Sequence, residues 1–112
     1  MTTTESFFWV DLPAAIVRDL ERFRHLHGTL AFSCAGRKFT VTLGDLHAPV
    51  IAGFLRTADV KLWFFADAFE RFLAAEAIAP RSVRLEGSAE VLERFGRFLQ
   101  PSASPLSIRL AA

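Results

Sequence analysis

The chain has 112 residues, a formal net charge of +1 from 13 Lys and Arg against 12 Asp and Glu, and a hydrophobic content of 52%. That length is one ordinary domain, 1–112, and is too short for two cores. Charges that alternate in sign argue against a nucleic-acid partner, a lone cysteine excludes an intrachain disulfide, and no uncharged run approaches the ~20 residues of a membrane span.

Residues 1–10 read as a polar tail ending in an aromatic cluster, Phe7, Phe8 and Trp9, exposed unless another element covers it. The tail has no basic n-region, so no secretory signal is expected and the cytoplasm is the default compartment. Asp11 suits a helix N-cap and Pro13 a first helical turn. Leu12, Ile16, Leu20 and Phe23 then recur at helical spacing, with Arg18, Asp19, Glu21, Arg22 and Arg24 on the other face. This predicts an amphipathic helix ending near Gly28, with Trp9 placed to staple its start.

The hydrophobic period then changes from 3.6 to 2. Leu30, Phe32 and Cys34 alternate with Thr29, Ala31 and Ser33; after Ala35-Gly36, Phe39, Val41 and Leu43 alternate with Lys38, Thr40 and Thr42. Two such runs around a short glycine turn predict a β-hairpin with one buried face. A third strand is expected over 49–55, with Gly53 as a bulge, and a fourth over 58–65, with Val60, Leu62 and Phe64 inward and Trp63 outward. Asp67 and Glu70 have capping-box spacing at the head of a second helix, whose apolar side would hold Ala66, Phe69, Phe72 and Leu73, with Glu76 beside them. A short strand follows at 82–86, then a last helix capped by Ser88, with Val91, Leu92, Phe95, Phe98 and Leu99 on one stripe. Pro101 would stop it, and 106–110 alternate as an edge strand would. The fold class expected is α+β: an antiparallel or mixed sheet of about five strands with helices packed on one face.

From about Gly28 to Leu99 the chain resembles the sterol carrier protein type 2 family. The residues that carry the resemblance are the Gly-Thr-Leu-Ala-Phe strand from Gly28 and the Arg-Lys-Phe-Thr-Val-Thr-Leu strand from Arg37. They are joined by Ala-Asp-Val-Lys-Leu at 58–62, the acidic helix start Asp67-Ala68-Phe69, and Arg84-Leu85-Glu86-Gly87 before a Leu- and Phe-rich helix. The resemblance implies a tunnel for acyl chains, sterols or isoprenoids. It also implies relatives that serve as lipid carriers or as accessory factors of ubiquinone biosynthesis. The compact connection at 44–58 departs from the family pattern, as does the lack of a long terminal extension. A dimer or the N-terminal aromatics would then have to close the tunnel.

The residue types agree with a non-enzymatic role. There are 12 Phe and no Tyr, so the rings carry no polar tip. Phe32, Phe39, Val41, Leu62 and Phe64 on the sheet would form one wall of an apolar site, and Phe69, Phe72, Phe95 and Phe98 on the helices the other. For each residue alone, ordinary core is the plain alternative; only the set argues for a cavity. His25, His27 and His47 lack the companions of a metal site. Ser33, Cys34, Asp45 and His47 come with no nucleophile elbow or oxyanion turn. No catalytic residue, metal or cofactor is therefore expected. The reading is a carrier that holds an apolar lipid and presents it to a membrane or an enzyme. The alternative is an interaction module that forms a homodimer or docks to an enzyme through Phe7, Phe8, Trp9 and Trp63. A small enzyme using the histidines is a third reading.

Overall fold

The computed structural model describes residues 3–74 and 76–99. The strand expected at 106–110 and the helix stop at Pro101 lie outside the described residues.

The chain opens in helix rather than in a loose tail. Helix α1 (Thr4–Ser6) leads through a π-helical turn (Phe7–Asp11) into α2 (Leu12–Arg18), and α3 (Leu20–Arg24) follows a break at Asp19. Thr3 and Ser6 form a reciprocal cap: the Ser6 N–H donates to Thr3 Oγ1 at 3.1 Å and the Thr3 N–H donates to Ser6 Oγ at 3.0 Å. Asp11, expected as the N-cap, has helical dihedrals and caps nothing with its side chain. The reason is burial. Carrying the helix back to Thr3 lays Phe7 and Phe8 on the sheet, where they are 9% and 0% exposed. The wider π turn, closed by the Leu12 N–H on the Phe7 carbonyl, changes the facing that an α-helix would impose.

Five strands follow in one sheet: β1 (Gly28–Cys34), β2 (Arg37–Leu43), β3 (Val50–Ala52), β4 (Val60–Phe64) and β5 (Val83–Gly87), in the order β3-β2-β1-β4-β5. The β1–β4 pair is parallel and the others antiparallel. Ala35 and Gly36 both have positive φ, 53° and 87°, as a two-residue hairpin turn requires to match strand twist. The expected inward set is buried throughout: Leu30, Phe32 and Cys34 on β1, Phe39, Val41 and Leu43 on β2, Val60, Leu62 and Phe64 on β4.

The third strand is shorter than the expected 49–55. At Gly53, φ 109°, the chain leaves the sheet and crosses its outer face. Thr40, on the outer side of β2, pins that crossing. Its hydroxyl donates to the Gly53 carbonyl at 2.8 Å and accepts from the Leu55 N–H at 3.1 Å. A residue expected to face water is thus buried, with both hydroxyl roles satisfied.

Helix α4 (Ala68–Leu73) lacks the expected capping box. The Asp67 carboxylate accepts from Arg71 Nε at 3.1 Å instead. Glu70 reaches away, accepting from the Thr4 N–H at 3.1 Å and tying α4 to the chain's first turn. Ala66 and Glu76, placed with that helix's apolar side, are exposed. A 3-10 turn (Pro80–Ser82) leads into β5, and α5 (Ala89–Leu99) is capped as expected, the Val91 N–H donating to Ser88 Oγ at 3.3 Å. The π turn, α2, α3, α4 and α5 all contribute to one apolar cluster with the inner sheet face.

Candidate apolar cavity

Between α2, α4, α5 and the inner face of β1 and β4 lies a cavity of about 410 Å³, partly open to solvent. Its floor is Phe32 on β1 with Leu62 and Phe64 on β4, and its sides are Phe69 and Phe72 of α4 and Phe95 of α5. The volume lies in the 300–1,000 Å³ range of small-molecule sites, and an apolar lining with few polar groups is their usual character. The floor side chains are themselves buried, so the free volume lies toward the mouth. There Asp11, Ala14 and Arg18 line the rim of the helical run, a short residue between two charges.

Six of the nine residues expected to line an apolar site therefore meet at this cavity: Phe32, Leu62, Phe64, Phe69, Phe72 and Phe95. Phe39, Val41 and Phe98 are buried elsewhere in the same core. Phe39 lies face to face with Phe8, ring centroids 4.2 Å apart, and Phe98 packs on Phe23 at 5.4 Å. The N-terminal aromatics were offered as a closure, and Phe7 of the π turn does line the cavity; what sequence reasoning missed is the α2 wall, Ala14 and Ala15. Its signal was the pair of consecutive alanines, which leaves space where larger side chains would fill it. Leu73, Leu92 and Leu99 complete the lining.

Phe8 is the hub of the ring network. It stacks on Phe39 and on Phe69 (5.4 Å) and meets Phe32 edge-on at 5.0 Å. The aromatic cluster, expected to be exposed unless another element covers it, is covered by the sheet and mostly core. Only Trp9 stays 46% exposed, with its ring edge toward Phe39 at 5.8 Å. Two of the four residues offered for a docking surface, Phe7 and Phe8, are not available to a partner.

The titratable groups considered as chemistry are placed apart. Ser33 lines the outer sheet face and Cys34 the core, as successive strand residues must. Burial pushes the Cys34 thiol up to about 12, well away from a thiolate at neutral pH. The Asp45 carboxylate accepts the N–H groups of Ala48 at 3.1 Å and His47 at 2.9 Å, which hold it below the usual carboxylate range. His25 is paired with Glu21, Nε2 to Oε1 at 3.2 Å. Among the described residues no group of three or more His, Cys, Asp and Glu is placed to hold a metal ion, and no helix is long and apolar enough to cross a membrane.

No family model and no curated protein matches the chain. Solved structures do. A "UbiJ-SCP2 Ubiquinone synthesis protein" superposes with a TM-score of 0.53 at 17% identity, over 88% of this chain and 87% of that one. The inverting sec-alkylsulfatase Pisa1 from Pseudomonas sp. superposes with a TM-score of 0.59 at 20% identity, over 95% of this chain but only 17% of that much longer one. Sterol Carrier Protein 2 Like 2 from Aedes aegypti overlaps at a TM-score of 0.45 and 16% identity, over 71% of this chain and 92% of that one. The order and pairing of the strands, the helices on a single face and the match along nearly the whole length of a UbiJ-SCP2 structure agree: the chain has a sterol carrier protein 2-like fold.

Proposed function

We propose that the chain binds an apolar small molecule in the cavity between α2, α4, α5 and the sheet, and passes it on without changing it chemically. The observation that carries this reading is the cavity itself. It has a phenylalanine floor and an Asp11–Arg18 rim, in a fold shared with a ubiquinone synthesis protein. A fatty-acyl chain, an isoprenoid quinone precursor or a sterol-like lipid fits that chemistry. Each methylene removed from water gains ~0.8 kcal/mol, so a tail binds without specific polar contacts. An accessory role in ubiquinone biosynthesis is the pathway reading the fold likeness favours. Val10 and Val17 stand exposed on the helical run that forms the rim, Val17 at 77%, which supports hand-over to a membrane or an enzyme.

Ala14→Trp tests the site. It adds an indole at the rim from an exposed helical position, so the fold is expected to persist while entry is blocked. In titrations with a fluorescent fatty acid, the wild type should saturate and Ala14→Trp should lose at least about tenfold in affinity, some 1.4 kcal/mol. Equal binding by a folded Ala14→Trp protein places the ligand elsewhere. Uptake by the triple His25→Ala, His27→Ala, His47→Ala variant should match the wild type.

A further inference from the structure

A second concavity lies on the opposite face of the sheet and has a different character. Its volume is about 500 Å³, and its walls come from β1, β2, β4, β5 and the segment after β3. Trp63 lines it. The segment pinned by Thr40 brings Phe54 over it, ring centroids 5.3 Å apart at 32°, and the Arg84 guanidinium lies 5.0 Å from the indole centroid. Three cations surround this aromatic shelf: Lys38 on β2, Lys61 on β4 and Arg56 on the crossing segment. Their side chains have no ion pair or hydrogen bond among the described residues. The groove's one carboxylate, Glu86, pairs with Arg84 at 2.6 Å although it sits opposite Lys61 in the sheet register.

Elsewhere on the surface, arginines are mostly matched by carboxylates within one helical turn, as in Arg22–Asp19, Arg71–Asp67, Arg94–Glu90 and Arg97–Glu93. Arg18 and Arg81 also lack an ion pair among the described residues; what sets the groove apart is that three such cations line one concavity. An aromatic shelf with uncompensated ammonium and guanidinium groups around it matches a flat ring that carries a negative charge: the ring stacks, and the anion accepts charge-assisted hydrogen bonds. A lipid tail has neither feature, so this groove is not a second mouth of the apolar cavity. We infer that the outer face of the sheet is a binding site for a small aromatic anion, an aryl phosphate or aryl carboxylate. Trp63 and Phe54 take the ring, and Lys38, Lys61 and Arg56 take the charge. Concavity favours a small molecule here over a flat protein partner.

The test uses 1-naphthyl phosphate with ¹⁵N-labelled full-length protein. Saturable shifts are expected at the Trp63 indole N–H and the Lys61 amide, while the Trp9 indole, on the helical side, serves as the internal control. Inorganic phosphate should bind at least about tenfold more weakly, since it lacks the ring, and Lys38→Gln and Lys61→Gln should each weaken 1-naphthyl phosphate about tenfold. Both lysines project from the outer face, so the thermal midpoints of these variants should match the wild type. The same titration with 1-naphthoate separates a carboxylate ligand from a phosphate one. The proposal is overturned if Trp63 does not respond, if the shifts gather at the cavity residues, if inorganic phosphate binds equally well, or if both lysine variants bind unchanged.

Discussion

Phe8 shows how one side chain organises the core. It has no exposed surface and touches Phe32, Phe39 and Phe69, linking the sheet to α4 through the first helical run. Phe8→Ala removes that ring from a site that cannot collapse without moving three others. It is expected to cost about 3–5 kcal/mol, read as a lower urea midpoint at unchanged slope. Cys34 gives a second measurable consequence. Its thiol is pushed up to about 12 by burial, whereas an unfolded cysteine titrates near 8.5. The folded state therefore keeps a proton that the unfolded chain gives up. That contribution to stability is whole below the unfolded value and is lost as pH rises toward the folded one. Between about pH 9 and 11 the wild-type Tm should fall more steeply than that of Cys34→Ala, and parallel profiles would contradict the burial argument. The inward phenylalanines of the sheet were legible as single residues because strand alternation assigns each one a face. The burial of Phe7 and Phe8 was not, because nothing local says that a sheet arriving twenty residues later will cover them.

The elements divide in the same way. The β1–β2 hairpin was legible in full, since both period-2 runs and the turn between them are local in sequence. Its turn also carries strain that can be tested. Ala35 has φ 53°, a left-handed conformation that costs an L residue with a Cβ roughly 1–2 kcal/mol, and asparagine tolerates it better. Ala35→Asn is expected to stabilise the chain by about 1 kcal/mol, seen as a higher Tm, and a lower Tm would mean that the turn does not have this geometry. The helix starts were misplaced because capping residues are ambiguous when several stand in a row. Thr3 rather than Asp11 opens the first run, and Glu70 bonds to Thr4 rather than to its own helix. In each case a tertiary contact outweighs a local signal worth about 1 kcal/mol. Gly87 illustrates the reverse, a local residue dictated by a distant one. Its φ is 111°, and a Cβ there would collide with the Asp59 carbonyl across the β4–β5 pair.

At the scale of the molecule, the sheet order was not readable from the sequence. The parallel β1–β4 pair joins strands separated by all of β2 and β3, a long-range pairing that no local pattern announces. That arrangement leaves two faces with two chemistries. The inner face is packed by helices and holds the cavity whose rim is Asp11, Ala14 and Arg18. On the outer face, the Thr40-pinned segment brings Phe54 to Trp63. The sequence reading placed six of the cavity's residues because their faces follow from periodicity, and it missed the α2 wall because that depends on where the N-terminal run docks. The measurement that bears most directly on the carrier reading is native mass spectrometry of freshly purified protein, followed by solvent extraction and identification of what co-purifies. The expected result is a defined apolar adduct, lost on extraction and restored by adding a fatty acid or quinone analogue. Ligand-free protein that also refuses both added lipids would contradict it.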